Sequence, residues 1–137
     1  MHRRSFCRIL GGGAGVAVSG CLSAGLRDND YDIGMSANAF LPDRYTISVG
    51  ETVVWGNNGS RSHTVTAYNE LPEGASYFAS GGYDSNDEAR RAWYQEGGQG
   101  GIDPGETFSH TFDAPGTHGY YCIPHEAAGM IGAIVVE

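Results

Sequence analysis

Apolar and polar positions alternate in short runs over most of the chain. Tyr45-Thr46-Ile47-Ser48-Val49 reads as a half-buried strand, and Gly50-Glu51 then turns the chain. Thr52-Val53-Val54-Trp55 follows and stops at Gly56-Asn57-Asn58-Gly59, and residues 63–68 alternate again. Residues 31–36, 106–112, 117–122 and 130–136 are short, rich in β-branched and aromatic residues, and bounded by Gly, Pro, Asn or Asp. Seven such runs, with no helical periodicity between most of them, predict an all-β domain built as a β-sandwich.

One segment breaks this rhythm. Residues 69–101 carry three Gly-Gly pairs and no alternating run. Inside them, Ser85-Asn86-Asp87-Glu88 fits a capping box, with Ser85 as N-cap and Glu88 at N3. Acidic residues at the start and Arg90-Arg91 later suit the helix dipole, so a short helix is predicted over 86–95. The insertion serves either to dock a partner or to cover a sheet edge, and the sequence leaves both open.

The first residues read as an address. Paired Arg3-Arg4, a weakly apolar stretch from 9 to 20 and the ending Val18-Ser19-Gly20-Cys21 form a secretory signal over residues 1–21. The arginine pair resembles a twin-arginine export signal, and the ending resembles a lipobox that makes Cys21 a lipidated N-terminus. The apolar stretch is too short to span a bilayer, and its glycines weaken any helix. Residues 22–30 follow as a polar tether and residues 31–137 as the folded domain. The expected location is the outer face of the cell membrane, held by lipid at Cys21.

Charge narrows the function classes. The chain has 8 Lys+Arg against 16 Asp+Glu, a net −8, and every one of the eight is Arg. Three of those precede Cys21, where no acid stands, so 5 Arg face 16 acids beyond it, or −11. Nucleic acid is therefore not an expected partner. The excess is read as adaptation to molar salt, where the Debye length is about 3 Å and long-range steering is lost. A negative docking patch for a basic partner is the alternative.

Cys122 is the only thiol left once the signal takes Cys7 and a lipid takes Cys21, so no internal disulfide is expected. Around it, Cys122, His125 and Met130 stand at C-x2-H-x4-M spacing, and His63 begins an alternating run far upstream. A thiolate, two imidazoles and a thioether suit copper in both oxidation states. Met is a poor zinc ligand, and without it a structural zinc site has three ligands rather than four. Pro124 stiffens the loop and Gly129 permits a bend before Met130. His110 falls on one face with Phe108 and Phe112 and is expected to be a half-buried histidine rather than a ligand; His118 has no partner pattern.

These residues carry a resemblance. Tyr121-Cys122-x-Pro124-His125-x-x-Ala128-Gly129-Met130-x-Gly132 is similar to the copper loop of the plastocyanins. Phe40-x-Pro42, Ile47-x-Val49-Gly50-Glu51-Thr52-Val53-x-Trp55-x-Asn57-Asn58 and His63-Thr64-Val65 resemble the matching N-terminal half. With the acidic, Lys-free composition and the lipoprotein-like signal, the chain resembles the halocyanins, plastocyanin-like blue copper proteins (cupredoxins) of salt-loving archaea.

The resemblance implies a Greek-key sandwich over residues 31–137. It also implies one type 1 copper ion held by His63, Cys122, His125 and Met130. The implied activity is one-electron transfer between membrane or surface redox proteins, with no enzyme activity and no small-molecule substrate. His125 is then the ligand nearest solvent and the electron port, and Tyr121 a further candidate for electron exit.

Two positions depart from the family pattern. Thr64 stands where plastocyanins have Asn tying the two ligand loops, and the 69–101 region is longer than its plant counterpart. A copper delivery or storage protein is the competing reading; it predicts an exchangeable Cu(I) site. A multicopper enzyme is excluded because, after the signal, only four histidines remain and no His-x-His pair occurs.

Overall fold

A computed structural model describes residues 26–137. The signal 1–21, the lipidation candidate Cys21 and the first part of the 22–30 tether lie outside the described residues.

Among the described residues, eight strands form two four-stranded sheets: β1 (Ile33–Met35), β2 (Phe40–Leu41), β3 (Arg44–Ile47), β4 (Glu51–Asn57), β5 (Thr66–Ala67), β6 (Thr107–Phe112), β7 (Gly116–Tyr121) and β8 (Ile131–Val136). The first sheet runs β2-β1-β4-β6 and the second β3-β8-β7-β5. Most neighbours are non-consecutive, as a Greek-key sandwich requires. Two pairs are parallel, β1 with β4 and β3 with β8, and the rest are antiparallel. The Leu41–Pro42 peptide is cis.

Alternation in the sequence becomes the two faces of each strand. β8 buries every second residue and β6 turns every second one inward, to half-burial or burial, whereas β4, held between β1 and β6, is buried along most of its length. The inward residues meet around Trp55, which is fully buried. Its ring lies 5.3 Å from Tyr120, 5.6 Å from Phe108, 6.1 Å from Phe78 and 6.3 Å from Phe112. Tyr120 crosses the strand pair to lie over Gly132, where a Cβ would come within 2.5 Å of its ring. That close approach is why residue 132 is glycine.

The expected strands are all present with shifted ends, and two differences have physical causes. β2 has only two residues, too few to show a period. The predicted strand over 63–68 shrinks to β5, because the backbone of residues 63–65 bonds elsewhere. His63 exchanges hydrogen bonds with Ile102, and Val65 N–H donates to Ser80 Oγ while its carbonyl accepts from Ser80 N–H.

The insertion holds one α-helix among the described residues, α1 (Asn86–Gln95), as predicted. Ser85 Oγ accepts from the Glu88 N–H at 3.1 Å, an N-cap worth about 1 kcal/mol. The capping box is offset by one position: Glu88 Oε1 accepts from the Asp84 N–H rather than that of Ser85. Ten residues make a marginal helix alone. α1 is secured by burying Ala89 and Ala92, Ala89 lying in a second small core with Ala79, Tyr121 and Ile123 against which Tyr68, Tyr83 and Trp93 pack. No described helix is long and apolar enough to cross a membrane.

Candidate metal centre

Residues 123–128 following Cys122 form a short 3-10 turn with Pro124 in its first turn. Gly129 ends it in the left-handed region at φ 93°, the bend expected before Met130. The loop closes on itself: Cys122 N–H donates to the Met130 carbonyl, Met130 N–H to the His125 carbonyl, and His125 N–H to the Cys122 carbonyl. This fixes three predicted ligands relative to one another before any metal is considered.

His63 arrives from the segment that leads into β5, the strand beside β7. The ligand atoms of His63, Cys122 and His125 all lie within 4.8 Å of one another. Cys122 Sγ is 3.6 Å from His63 Nδ1 and 3.4 Å from His125 Nδ1. In a trigonal plane with metal–nitrogen bonds near 2.0 Å and metal–sulfur bonds near 2.3 Å, nitrogen and sulfur would stand roughly 3.7 Å apart. The donors are thus spaced to take an ion with little movement. Met130 is fully buried in the same core as Cys122 and is bonded to it through the backbone. A His2Cys donor set, with a buried methionine in the same core that could add a thioether, fits copper.

The protonation states suit ligation. Burial is the main cause lowering the pKa of both His63 and His125, with Arg61 acting the same way on each. For His63 the charge on His125 adds to this. Neutral imidazoles present a free lone pair. Burial pushes the Cys122 thiol up to about 11, against opposing hydrogen bonds from Thr64 and the His125 backbone. The metal-free site therefore holds a neutral thiol, and metal binding must displace its proton. His63 Nε2 makes no well-aligned hydrogen bond, although the Ser36 backbone lies near enough to favour its charged form.

Thr64 restores the tie between the two ligand segments with a different side chain. Its N–H donates to Cys122 Sγ at 3.3 Å, and its hydroxyl accepts from the Ile123 N–H at 2.9 Å and pairs with Thr66. Hydrogen bonds to the sulfur are a lever on the potential of a blue copper site.

His63, Cys122 and Met130 are fully buried, and His125 alone of the four has partial access to solvent. Tyr121 differs from its sequence expectation as an exit. It is fully buried under α1, with its ring 4.5 Å from that of Tyr68. His110 and His118 stay outside the site: His110 stacks on Phe78 at 4.7 Å, and His118 Nε2 donates to the Ala114 carbonyl. Sequence reasoning did not identify Arg90, Ser80 and Glu126 as supports of this region. Glu126, placed one residue after a ligand, was the only available signal.

A family model described as copper-binding proteins of the plastocyanin/azurin family matches residues 28–137. Plastocyanin of Scenedesmus fuscus is 38% identical over 102 residues, covering 74% of this chain and 89% of that protein. Chloroplastic plastocyanin of Tetradesmus obliquus is 33% identical over 129 residues, covering 90% and 78%. A solved mutant plastocyanin of fern superposes with a TM-score of 0.52 at 25% identity, covering 77% of this chain and 98% of that one. Amicyanin from Paracoccus versutus shares the fold, with a TM-score of 0.54 at 22% identity over 82% and 85% of the two chains. The chain belongs to the plastocyanin/azurin family of copper-binding proteins and, as a plastocyanin-like cupredoxin, is a blue copper electron carrier and not an enzyme.

Proposed function

We propose that this chain works as a membrane-tethered carrier, passing single electrons between redox proteins at the outer face of the cell membrane. One observation carries the redox part: His63 Nδ1 meets Cys122 Sγ and His125 Nδ1 at a loop already closed by its own hydrogen bonds. Copper bound there supplies the one-electron Cu(I)/Cu(II) couple. The protein supplies the rest. The loop and Thr64 hold the donors in place, the buried core excludes water from the sulfur, and half-exposed His125 is the port to a partner. A fixed donor set keeps reorganisation small as charge changes.

Tethering rests on the signal and Cys21. A single lipid chain binds a membrane only marginally, so stable anchoring requires two chains on Cys21 or a second contact.

The test is a visible absorption spectrum of the protein expressed from the full chain, in high salt, with one equivalent of Cu(II), beside Cys122→Ser. The expected result is an intense thiolate-to-copper band, bleached reversibly by a reductant and absent in the variant. A colourless protein that keeps Cu(I) would instead favour copper delivery. For the tether, Cys21→Ser is expected to move the protein from the membrane fraction to the medium; an unchanged membrane fraction would remove Cys21 from the account.

A further inference from the structure

The insertion is bonded to the metal loop through side chains that no ligand role explains. Arg90, on α1, donates from Nη2 to Glu126 Oε1 at 3.0 Å and from Nε to Asn86 Oδ1 at 3.1 Å. Its guanidinium lies 4.5 Å above the Tyr121 ring. The Tyr121 hydroxyl donates to the same Asn86 oxygen. Tyr68 Oη donates to Glu126 Oε2 at 2.8 Å and stacks on Tyr121, which closes the ring of contacts. Two members of this ring flank ligands in the chain: Tyr121 precedes Cys122, and Glu126 follows His125. Both carboxylate oxygens of Glu126 are engaged, so the carboxylate cannot rotate without breaking a bond.

We propose that Arg90 is a positioning residue of the metal centre: by gripping Glu126 and the Tyr121 ring together, α1 latches the ligand loop in place whether or not metal is bound. A planar guanidinium can do this because it offers separate donors to two acceptors while presenting a flat face to an aromatic ring. The inference rests on the site being the metal centre. Neighbouring Arg91 is exposed and serves as the control on the same helix.

The test is amide hydrogen exchange across residues 122–130 in the metal-free full chain, for Arg90→Ala, Glu126→Gln and Arg91→Ala. The expected result is exchange in this loop on the order of tenfold faster in Arg90→Ala and Glu126→Gln, with β4 unchanged and Arg91→Ala like wild type. Glu126→Gln keeps the side-chain volume, so it carries the test if Arg90→Ala does not fold. The copper-loaded forms separate positioning from simple charge. Arg90→Ala removes a positive charge and Glu126→Gln a negative one, so a purely electrostatic role would move the reduction potential in opposite directions and leave exchange alone. That pattern, or equal acceleration throughout the molecule, would overturn the latch. Exchange is read without metal, so it reports on the latch even if the wild type fails to turn blue, a result that would count only against the carrier reading.

Discussion

Tyr120 and Tyr121 are adjacent, both fully buried, and belong to different cores. Tyr120 enters the main core between the sheets, where Trp55, Phe78 and Phe40 surround it. Neither the Tyr120 hydroxyl nor the Trp55 indole N–H has a well-formed hydrogen bond there. Tyr121 points to the opposite face of the strand, into the small core under α1, and its hydroxyl is bonded to Asn86. The main core is dense in aromatic rings and holds polar atoms without well-aligned bonds; the small one is rich in paired polar groups. Burial area dominates the first and geometry the second. The ligand loop straddles them, with Cys122 and Met130 in the main core and Ile123 in the small one. Stability and fine positioning of the metal centre are therefore separable by mutation.

The strongest way to expose that separation is Trp55→Ala. Removing the ring at the centre of the main core is expected to cost about 3–5 kcal/mol in denaturant unfolding. The spectrum of whatever copper protein remains folded should be little changed. Thr64→Val comes next. It removes the acceptor for the buried Ile123 N–H at the junction of the two cores, with an expected loss of about 1–3 kcal/mol. It should also shift the blue band, because the hydroxyl tie to Ile123 positions the residue-64 N–H, which the variant keeps, on Cys122 Sγ; an unshifted band would show that this tie is irrelevant to the sulfur. In the small core, Tyr121→Phe keeps the ring and loses one hydrogen bond. About 1 kcal/mol is expected, with faster exchange in the α1 amides but not in β4.

The smallest effect is a titration. The Tyr68 hydroxyl is pushed up to about 12, first by burial and then by its hydrogen bond to Glu126 and that residue's charge. The folded chain thus keeps this proton where the unfolded chain has begun to lose it. The associated stability is full below pH 10 and disappears as pH rises toward 12. Glu126→Gln removes the charge and should bring the Tyr68 phenolate absorbance to lower pH; an unchanged curve would mean burial alone sets it.

The sequence showed the parts whose signal is local. The Cys122–His125–Met130 spacing lies within one loop, Ser85 and Glu88 mark the start of α1 three residues apart, and alternation marks β6 and β8. What it hid is non-local. His63 and Val65 alternate like strand residues, yet their partners are Ile102, just past the insertion, and Ser80, inside it. Thr64 was visible as a departure from the family pattern, but its role depends on the Ile123 N–H facing it from 59 positions away. The burial of Tyr121 could not be read from its neighbours, because the helix that covers it contributes Arg90 and Asn86 from a segment with no period in common with the strand.

The distance along the chain between His63 and Cys122, 59 positions, has a consequence for how the protein matures. Closing a loop of that size costs roughly 4 kcal/mol in chain entropy, whereas Cys122, His125 and Met130 are near neighbours from the outset. A chain still folding can offer a loose three-donor site at its C-terminal end, and His63 completes the set only when β5 has paired with β7 in the second sheet. Arrival of that one imidazole is the moment at which holding a metal and being folded become the same event, so the kinetics of colour development during refolding should time the long-range pairing of β5 with β7.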